Sequence, residues 1–558
     1  MQKVPPTYRF GVLCQRFILP RWQAMAIEAL LNDGHLPVVV VVGDIPLKTT
    51  LKQKIKKYLG KNALYYLFER CVMHLPEKEW INTESLFKET RVVHAKVYKK
   101  GKSNYFAETT IQQIKATNPD FLLRFGFDII RGAILEAAPW GVWSYHHDDE
   151  LKYRGGPPAF WEIALGDPVT GVMLQRLTDR LDGGIVLKKG YFKTIDHSYS
   201  GNLNRVLKEA AHWPALVCKE GPELGHLPAP TIAPLFKKPT NFRMVAFLLR
   251  KAVNRMKFHF QDLFMAEKWR IALLKNDPTS PFSLPGIGNF SFFPLPSPPQ
   301  NHFYADPFII RESDTIHILC EDYNYATAKG SIVYFCYRMD SLKIKMKTIA
   351  LESRSHLAYP FMFAQDGTIY CIPETADSGN ISLYRLNTTT GKLQFIRHLV
   401  PGFAGVDSTI IFHEQRWWIF STSRSSSNES LYIFYSDSLD GNFSAHPANP
   451  VKIDIRGARP AGNIFLSEGL LIRPVQMNAG KYGASMALFV IDTLSPDHFV
   501  EHKVRDLMPF PHKGYSKGFH TLSVDHGFAV VDGKTYGFNR HYFMHHLSQK
   551  IRTEKTKQ

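Results

Sequence analysis

The stretch Gly141-Val142-Trp143-Ser144-Tyr145-His146, followed by the loop Tyr153-Arg154-Gly155-Gly156-Pro157-Pro158 and then by Leu181-Asp182-Gly183-Gly184, decides how the first part of this chain folds. It reads as a strand ending in Ser144-Tyr145-His146, and residues two apart on a strand share a face, so Ser144 and His146 point the same way. Upstream, Phe10-Gly11-Val12-Leu13-Cys14 reads as a first strand, and Trp22 to Asp33 as a helix opened by Pro20 and closed by Gly34. Val38-Val39-Val40-Val41-Val42 follows as a strand buried on both faces. A helix near Thr110 to Ala116 and the strand Phe121-Leu122-Leu123-Arg124-Phe125 lead back to the opening stretch. This alternation predicts a doubly wound parallel sheet, whose ligand lies beyond the carboxyl ends of the strands, where His146 falls.

A chain of 558 residues is too long for one hydrophobic core, so two or three domains are expected. Hydrophobic residues at 44% and charged residues at 21% are those of folded domains, and aromatics at 13% lean toward β structure or carbohydrate contact. The N-terminus shows no signal-peptide pattern, and no uncharged run reaches the ~18 apolar residues of a membrane span. Cys14, Cys71, Cys218, Cys320, Cys336 and Cys371 are scattered without metal-ligand spacing, so neither a disulfide framework nor a metal site is indicated and a cytoplasmic location is expected. The net charge of +18 calls for an anionic neighbour: a nucleotide-linked sugar, an anionic membrane surface or RNA. The basic clusters at Lys48 to Lys61, at Arg250 to Lys257 and after Lys550 lack interleaved aromatics for base stacking, which argues against a specific nucleic-acid partner.

Residues 226–300 change character. Prolines break the chain on both sides of a basic amphipathic stretch, Met244 to Phe264, so a linker containing one helix is expected, packed on a neighbour or lying on a membrane surface. From 301 to 545 the pattern is all-β and repeats. Its leading residues Asp306, Tyr359, Asp407, Arg459 and His520 are separated by 53, 48, 52 and 61 positions, and each is followed by a second strand. Several strands per period of this length predict a five-bladed β-propeller, and residues 546–558 read as a basic tail.

Residues 8–225 resemble the formyltransferase family that includes methionyl-tRNA formyltransferase, glycinamide ribonucleotide transformylase and the sugar N-formyltransferases. The resemblance rests on His146, Tyr153-Arg154-Gly155, Gly166-Asp167-Pro168-Val169-Thr170-Gly171-Val172 and Arg180-Leu181-Asp182-Gly183-Gly184, in order and spacing. It implies an α/β Rossmann-like domain that moves a formyl group from 10-formyltetrahydrofolate to an amine. His146 would be the acid/base, oriented by Asp182, while Phe125, Gly126, Phe127, Asp179 and Leu181 would hold the pterin. Chemistry of this kind needs a tunable imidazole for the proton and donors for a developing oxyanion. The family's catalytic Asn is Ser144 here, a shorter group with one donor. The acids of His147-Asp148-Asp149-Glu150 would add negative charge that meets a protonated amino sugar.

The repeats resemble the propeller module at the N-terminus of plant glucosamine inositolphosphorylceramide transferases and, more distantly, five-bladed glycoside hydrolases. That resemblance implies a polar channel lined by Asp306, Glu374, Asp407, Arg459 and His520, read as binding glycan in preference to hydrolysing it. The reading that results is a formyltransferase acting on an amino sugar or nucleotide sugar in surface polysaccharide biosynthesis. Its alternative is a catalytically degenerate domain serving a glycan-binding or glycoside-processing propeller.

Overall fold

The computed structural model describes residues 6–43, 57–180, 183–222, 225–227, 231–277, 279, 283–284 and 288–555, and the chain divides into two compact units, Met1–Met256 and Lys257–Gln558. In the first unit seven strands form one sheet: β1 (Arg9–Cys14), β2 (Leu36–Gly43), β3 (Arg91–Ala95), β4 (Phe121–Arg124), β5 (Val142–His146), β6 (Val169–Arg176) and β7 (Ile185–Lys193). Their spatial order is β7-β6-β5-β4-β1-β2-β3. The five strands from β3 to β5 run parallel, while β6 and β7 add antiparallel hairpin partners. Strand β1 is buried from Phe10 to Cys14, and the helix Arg21–Asn32 turns Trp22, Ala26, Ile27 and Leu30 inward, so apolar burial on both faces holds the parallel core. The winding direction reverses between β1 and β4, and Arg124 stands at the carboxyl end of β4 on that reversal.

The second unit is five successive antiparallel sheets. The first combines Ala266–Asn276 and Gly288–Pro294 with the late strands Phe528–Gly537 and Leu522–Asp525, and the next three begin at His302–Glu312, Ala358–Gln365 and Gly405–His413. Phe465–Ser467 opens the fifth. Neighbouring sheets share apolar cores: Ile271 and Val530 with Ile309 and Ile318, Phe308 with Tyr359 and Phe361, and Ile372 with Ile410 and Ile419. Trp418 and Phe420 meet Ile464 and Ile491, and the fifth sheet returns to the first through Ile472 and Leu488 against Ala272 and Val531.

The repeat seen in the sequence has a backbone signature. Asp306, Tyr359 and Asp407 have φ of 49°, 40° and 51°, and each sits in a register shift of its own sheet, between Ala305 and Phe308, Ala358 and Phe361, and Val406 and Thr409. An extra residue in one strand re-aims a side chain, and here it does so three times at equivalent places. Arg459 and His520 instead precede the strands Phe465–Ser467 and Leu522–Asp525. Pro460 has no N–H for a ladder, and Gly462, at φ 133°, lies so close to the Leu522 carbonyl that a Cβ would fall 1.7 Å from its oxygen.

Two expectations are corrected. Residues 226–300 are not simply a linker, because Ala266–Asn276 pairs along its length with Phe528–Gly537 and Gly288–Pro294 adds to its other edge. A strand that waits some 250 residues for its partner carries no local signal of its destination. Residues 546–555, read as part of a basic tail, continue the helix Arg540–Lys555. Among the described residues, no helix is long and apolar enough to cross a membrane.

Tyr359 ties the inner strands together. Its hydroxyl accepts the Gly462 N–H at 2.7 Å and lies 3.0 Å from Thr409 Oγ1, all of it buried. Tyr359→Phe keeps the ring and strands a buried N–H, so unfolding in urea should show a loss of about 1–3 kcal/mol. A loss under a few tenths would mean that this hydroxyl does not tie the sheets.

Candidate functional site

In the first unit, β5 delivers Ser144 and His146 to one cavity of about 570 Å³, which Arg124, Asp128, Asp179 and Arg180 also line. The side chain of Ser144 does not stand alone there. Arg124 Nε and Nη2 donate to its Oγ at 3.1 and 2.8 Å, while Arg124 Nη1 donates to the Asp128 carbonyl, so the guanidinium is clamped at the end of β4. Burial draws the Arg124 pKa below its usual value, and Asp128 opposes that shift. Asp179 accepts the Gly132 N–H at 3.1 Å. The Tyr153-Arg154-Gly155 loop reaches the same place: Gly155 lines the cavity, and the Tyr153 hydroxyl donates to Asp167 of the Gly166 to Val172 segment at 3.2 Å.

Asp182 and Leu181 lie outside the described residues. The turn expected to hold the pterin through its backbone groups packs its side chains into the unit. Phe127 is a core residue packed on Phe106, its carbonyl accepting the Asn104 amide at 2.5 Å, and Phe125 packs edge-on against Trp22. Gly126 sits tight against the Cys14–Gln15 backbone, and the cavity wall is made by the following residues, Asp128 to Arg131. The turn has the left-handed pair Phe127 and Asp128, φ 67° and 48°, which swings the chain from core to cavity within one residue. No apolar pattern announces such a reversal.

The acids after His146 are also corrected, because they turn inward. Asp148 accepts the Ala159 N–H at 3.1 Å, and Lys189 bridges Asp149 and Glu150 at 3.0 and 2.8 Å. His147 is held neutral, its pKa brought down to about 3 by burial and then by His146 and Lys78, with Tyr145 stacked on it and Trp22 at its edge.

In the second unit the five leading residues converge on a buried polar centre. Arg459 Nε donates to Asp407 Oδ2 at 2.5 Å, and Gln476 donates to the same oxygen at 2.9 Å. His520 Nδ1 lies 2.5 Å from Asp532 Oδ2, and its Nε2 lies 3.6 Å from Asp306 Oδ1. Burial works against charge on this imidazole, yet Asp532 and Asp306 together lift its pKa above the usual value. Trp269 stacks on it at 3.9 Å. Burial pushes the Asp306 carboxyl up to about 6, and burial with Asp407 holds Glu374 well above the carboxylate range. Sequence reasoning missed Asp532, Gln476 and Glu321, whose carboxyl is likewise raised by burial and by Asp306. They stand on second or outer strands, where alternation alone marks them as merely inward-facing.

Asp306, His520 and Asp532 place one ligand atom each within 4.8 Å of one another. Those atoms are already committed within the protein. Asp532 Oδ1 accepts the N–H groups of His520 and Thr521 at 2.9 and 3.1 Å, its Oδ2 accepts the Asp306 N–H at 3.2 Å, and Asp306 Oδ1 accepts the Thr521 hydroxyl at 2.7 Å. The group is a hydrogen-bonded structural cluster.

Fold and site thus define a doubly wound α/β unit with a cationic cavity at its switch point, and a second unit of five sheets around a buried ionic centre. Residues 295–526 match the family described as glucosamine inositolphosphorylceramide transferase 1, N-terminal. Glucosamine inositolphosphorylceramide transferase 1 of Oryza sativa subsp. japonica is 30% identical over 237 residues, 38% of this chain and 31% of that protein. Methionyl-tRNA formyltransferase of Clostridium perfringens is 31% identical over 101 residues, 18% of this chain and 33% of that protein. The solved glycinamide ribonucleotide transformylase 1 from Symbiobacterium toebii superposes with a TM-score of 0.27 at 15% identity, over 40% of this chain and 90% of that one. The chain spans about a third of the length of the curated relatives it matches.

Glu162 supplies a pH test of this region. It is 0% exposed with neither carboxylate oxygen bonded, and burial pushes its pKa from 4.5 up to about 8. The folded carboxyl keeps its proton where the unfolded one has lost it. Its stabilising contribution is therefore complete below about pH 4.5 and falls as pH rises toward 8, at up to roughly 1.4 kcal/mol per unit. Glu162→Gln should flatten the fall in melting temperature between pH 5 and about 8. An unchanged slope would place the titration elsewhere.

Proposed function

We propose that the first unit moves a formyl group from 10-formyltetrahydrofolate to the amine of an amino sugar, and that the second is a five-bladed β-propeller whose centre binds glycan. The observation that carries the first half is Arg124, Ser144 and His146 on one cavity at the sheet's switch point. Its volume of about 570 Å³ lies within the range of small-molecule sites, and Lys102, Arg124, Arg131 and Arg180 outnumber Asp128 and Asp179, which suits a donor with a carboxylate tail or an acceptor with phosphate. When bound, the donor supplies a formyl carbon open to attack by an amine.

The protein's own groups divide the remaining work. Ser144 accepts two bonds from Arg124 and so holds the guanidinium at the cavity wall. Of five N–H groups on Arg124, three are spent on Ser144 and Asp128, which leaves two to donate toward an oxygen that gains negative charge. A cation fixed at the cavity wall does this without reorganising, so Arg124 answers the loss of the family's amide at position 144. His146, two residues on along β5 and lining the same cavity, would take the amine's proton. The amino-sugar acceptor is supported by the match of residues 295–526 to a family whose description includes glucosamine.

For the second unit, the reading as a propeller rests on the chain of shared cores that returns from fifth sheet to first. Glycan binding is favoured over hydrolysis because the Asp407 carboxylate is already paired with Arg459 and bonded by Gln476.

His146→Ala should abolish formyl transfer to amino-sugar acceptors, and Arg124→Met should lower turnover by about 10²–10³ while calorimetry shows the donor still bound. A wild-type protein that binds no formyl donor at millimolar concentration would end the formyltransferase reading. For the second unit, Asp306→Asn should weaken signals on a glycan array, and unaltered signals would leave the centre a purely architectural role.

A further inference from the structure

The helix Asn241–Phe264 has two apolar faces, and among the described residues only one of them is buried. Met244 and Phe247 are buried, with Phe247 stacked on Phe160 at 4.3 Å and packed edge-on against Phe68. On the opposite side, Phe242, Val245, Leu249, Val253 and Met256 are 84%, 46%, 65%, 42% and 66% exposed. Their spacing of three, four, four and three residues at about 100° per residue places all five within an arc of about 80°. Isolated exposed apolar residues are ordinary, but a continuous stripe four turns long marks a contact surface.

The charges along the helix say what kind of contact. Residues 241–256 contain four basic side chains, Arg243, Arg250, Lys251 and Arg255, and no acidic one. By the same helical rotation, Arg243 and Arg250 flank the stripe on one side, where Arg243 lies over the Trp161 ring and Arg250 spends one N–H on the Ala164 carbonyl, and Arg255 flanks it on the other, each about 100–120° from its centre. Long basic side chains at that angle reach a headgroup plane while the stripe enters the acyl boundary. A second copy of this chain would bring the same cations against themselves, on a protein whose net charge is already +18. We propose that this outer face of the helix docks the protein on an anionic lipid surface, its apolar stripe inserted between lipids and its basic flanks on acidic headgroups. The surface is independent of the cavity chemistry, and it places the protein where amphipathic or lipid-linked acceptors are concentrated.

The test uses the full chain and sedimentation with vesicles of phosphatidylcholine alone or with about a third phosphatidylserine. The wild type should pellet with the anionic vesicles, weakly with the neutral ones, and less as salt rises. Leu249→Glu with Val253→Glu should cut the bound fraction about tenfold or more at an unchanged melting temperature, because both positions face outward. Arg243→Glu with Arg255→Glu should remove the preference for phosphatidylserine. Wild-type protein left in the supernatant, or Glu variants that pellet as the wild type does, would overturn the proposal. So would a dimer seen by light scattering that Leu249→Glu dissolves without any vesicle binding, since a second copy would then cover the face.

Discussion

The second unit depends on one ladder. Ala266–Asn276 pairs antiparallel with Phe528–Gly537, from Ala266 opposite Gly537 to Lys275 opposite Phe528, and so ties the first strand of the unit to its last. Asp532 sits in that ladder opposite Ile271. From there its two oxygens take the N–H groups of Asp306, His520 and Thr521 and the imidazole of His520, so the pairing of the unit's first and last strands also sets the groups at the centre. Buried charge is tolerable only when it is paired and bonded, and Asp407, His520 and Lys534 meet that condition, while burial and neighbouring acids push the Glu321 and Glu374 carboxyls up toward their neutral form. Asp407 has Arg459 and Gln476, His520 has Asp532, and Lys534 has Glu267 at 2.6 Å with the ring of Trp269 beneath it.

The first unit works by a different economy of parts. A parallel sheet held by apolar burial on both faces leaves its chemistry to the strand ends, and here β4 and β5 end side by side with Arg124 and Ser144 bonded to each other. That bond couples two departures from plain packing, a half-buried guanidinium and a buried hydroxyl that accepts two of its bonds. Each would be costly alone. The acids that follow β5 fold inward onto Lys189 and the Ala159 N–H, which leaves the cavity with a positive balance.

The net charge of the chain also acquires a location. Part of it lies along the cavity as Lys102, Arg124, Arg131 and Arg180, and part along the helix Asn241–Phe264. Small anions and extended anionic surfaces are both drawn by such a distribution, with salt sensitivity greatest where the charges are exposed.

The sequence by itself determined the local elements and their polarity. The helix read as Trp22 to Asp33 is Arg21–Asn32, the strand read as Val142 to His146 has those bounds, and the repeat spacing of Asp306, Tyr359 and Asp407 marks three equivalent bulged strands. Period, capping and alternation are properties of neighbours in the chain, so they are legible without the fold. Tertiary structure alone decided which residues meet. The ladder between Ala266–Asn276 and Phe528–Gly537, the clamp of Arg124 on Ser144 and the inward turn of Asp148, Asp149 and Glu150 all join groups through space or bury them after a turn. No local preference encodes such contacts, because what stabilises them is the desolvated surroundings that exist only once the chain has closed.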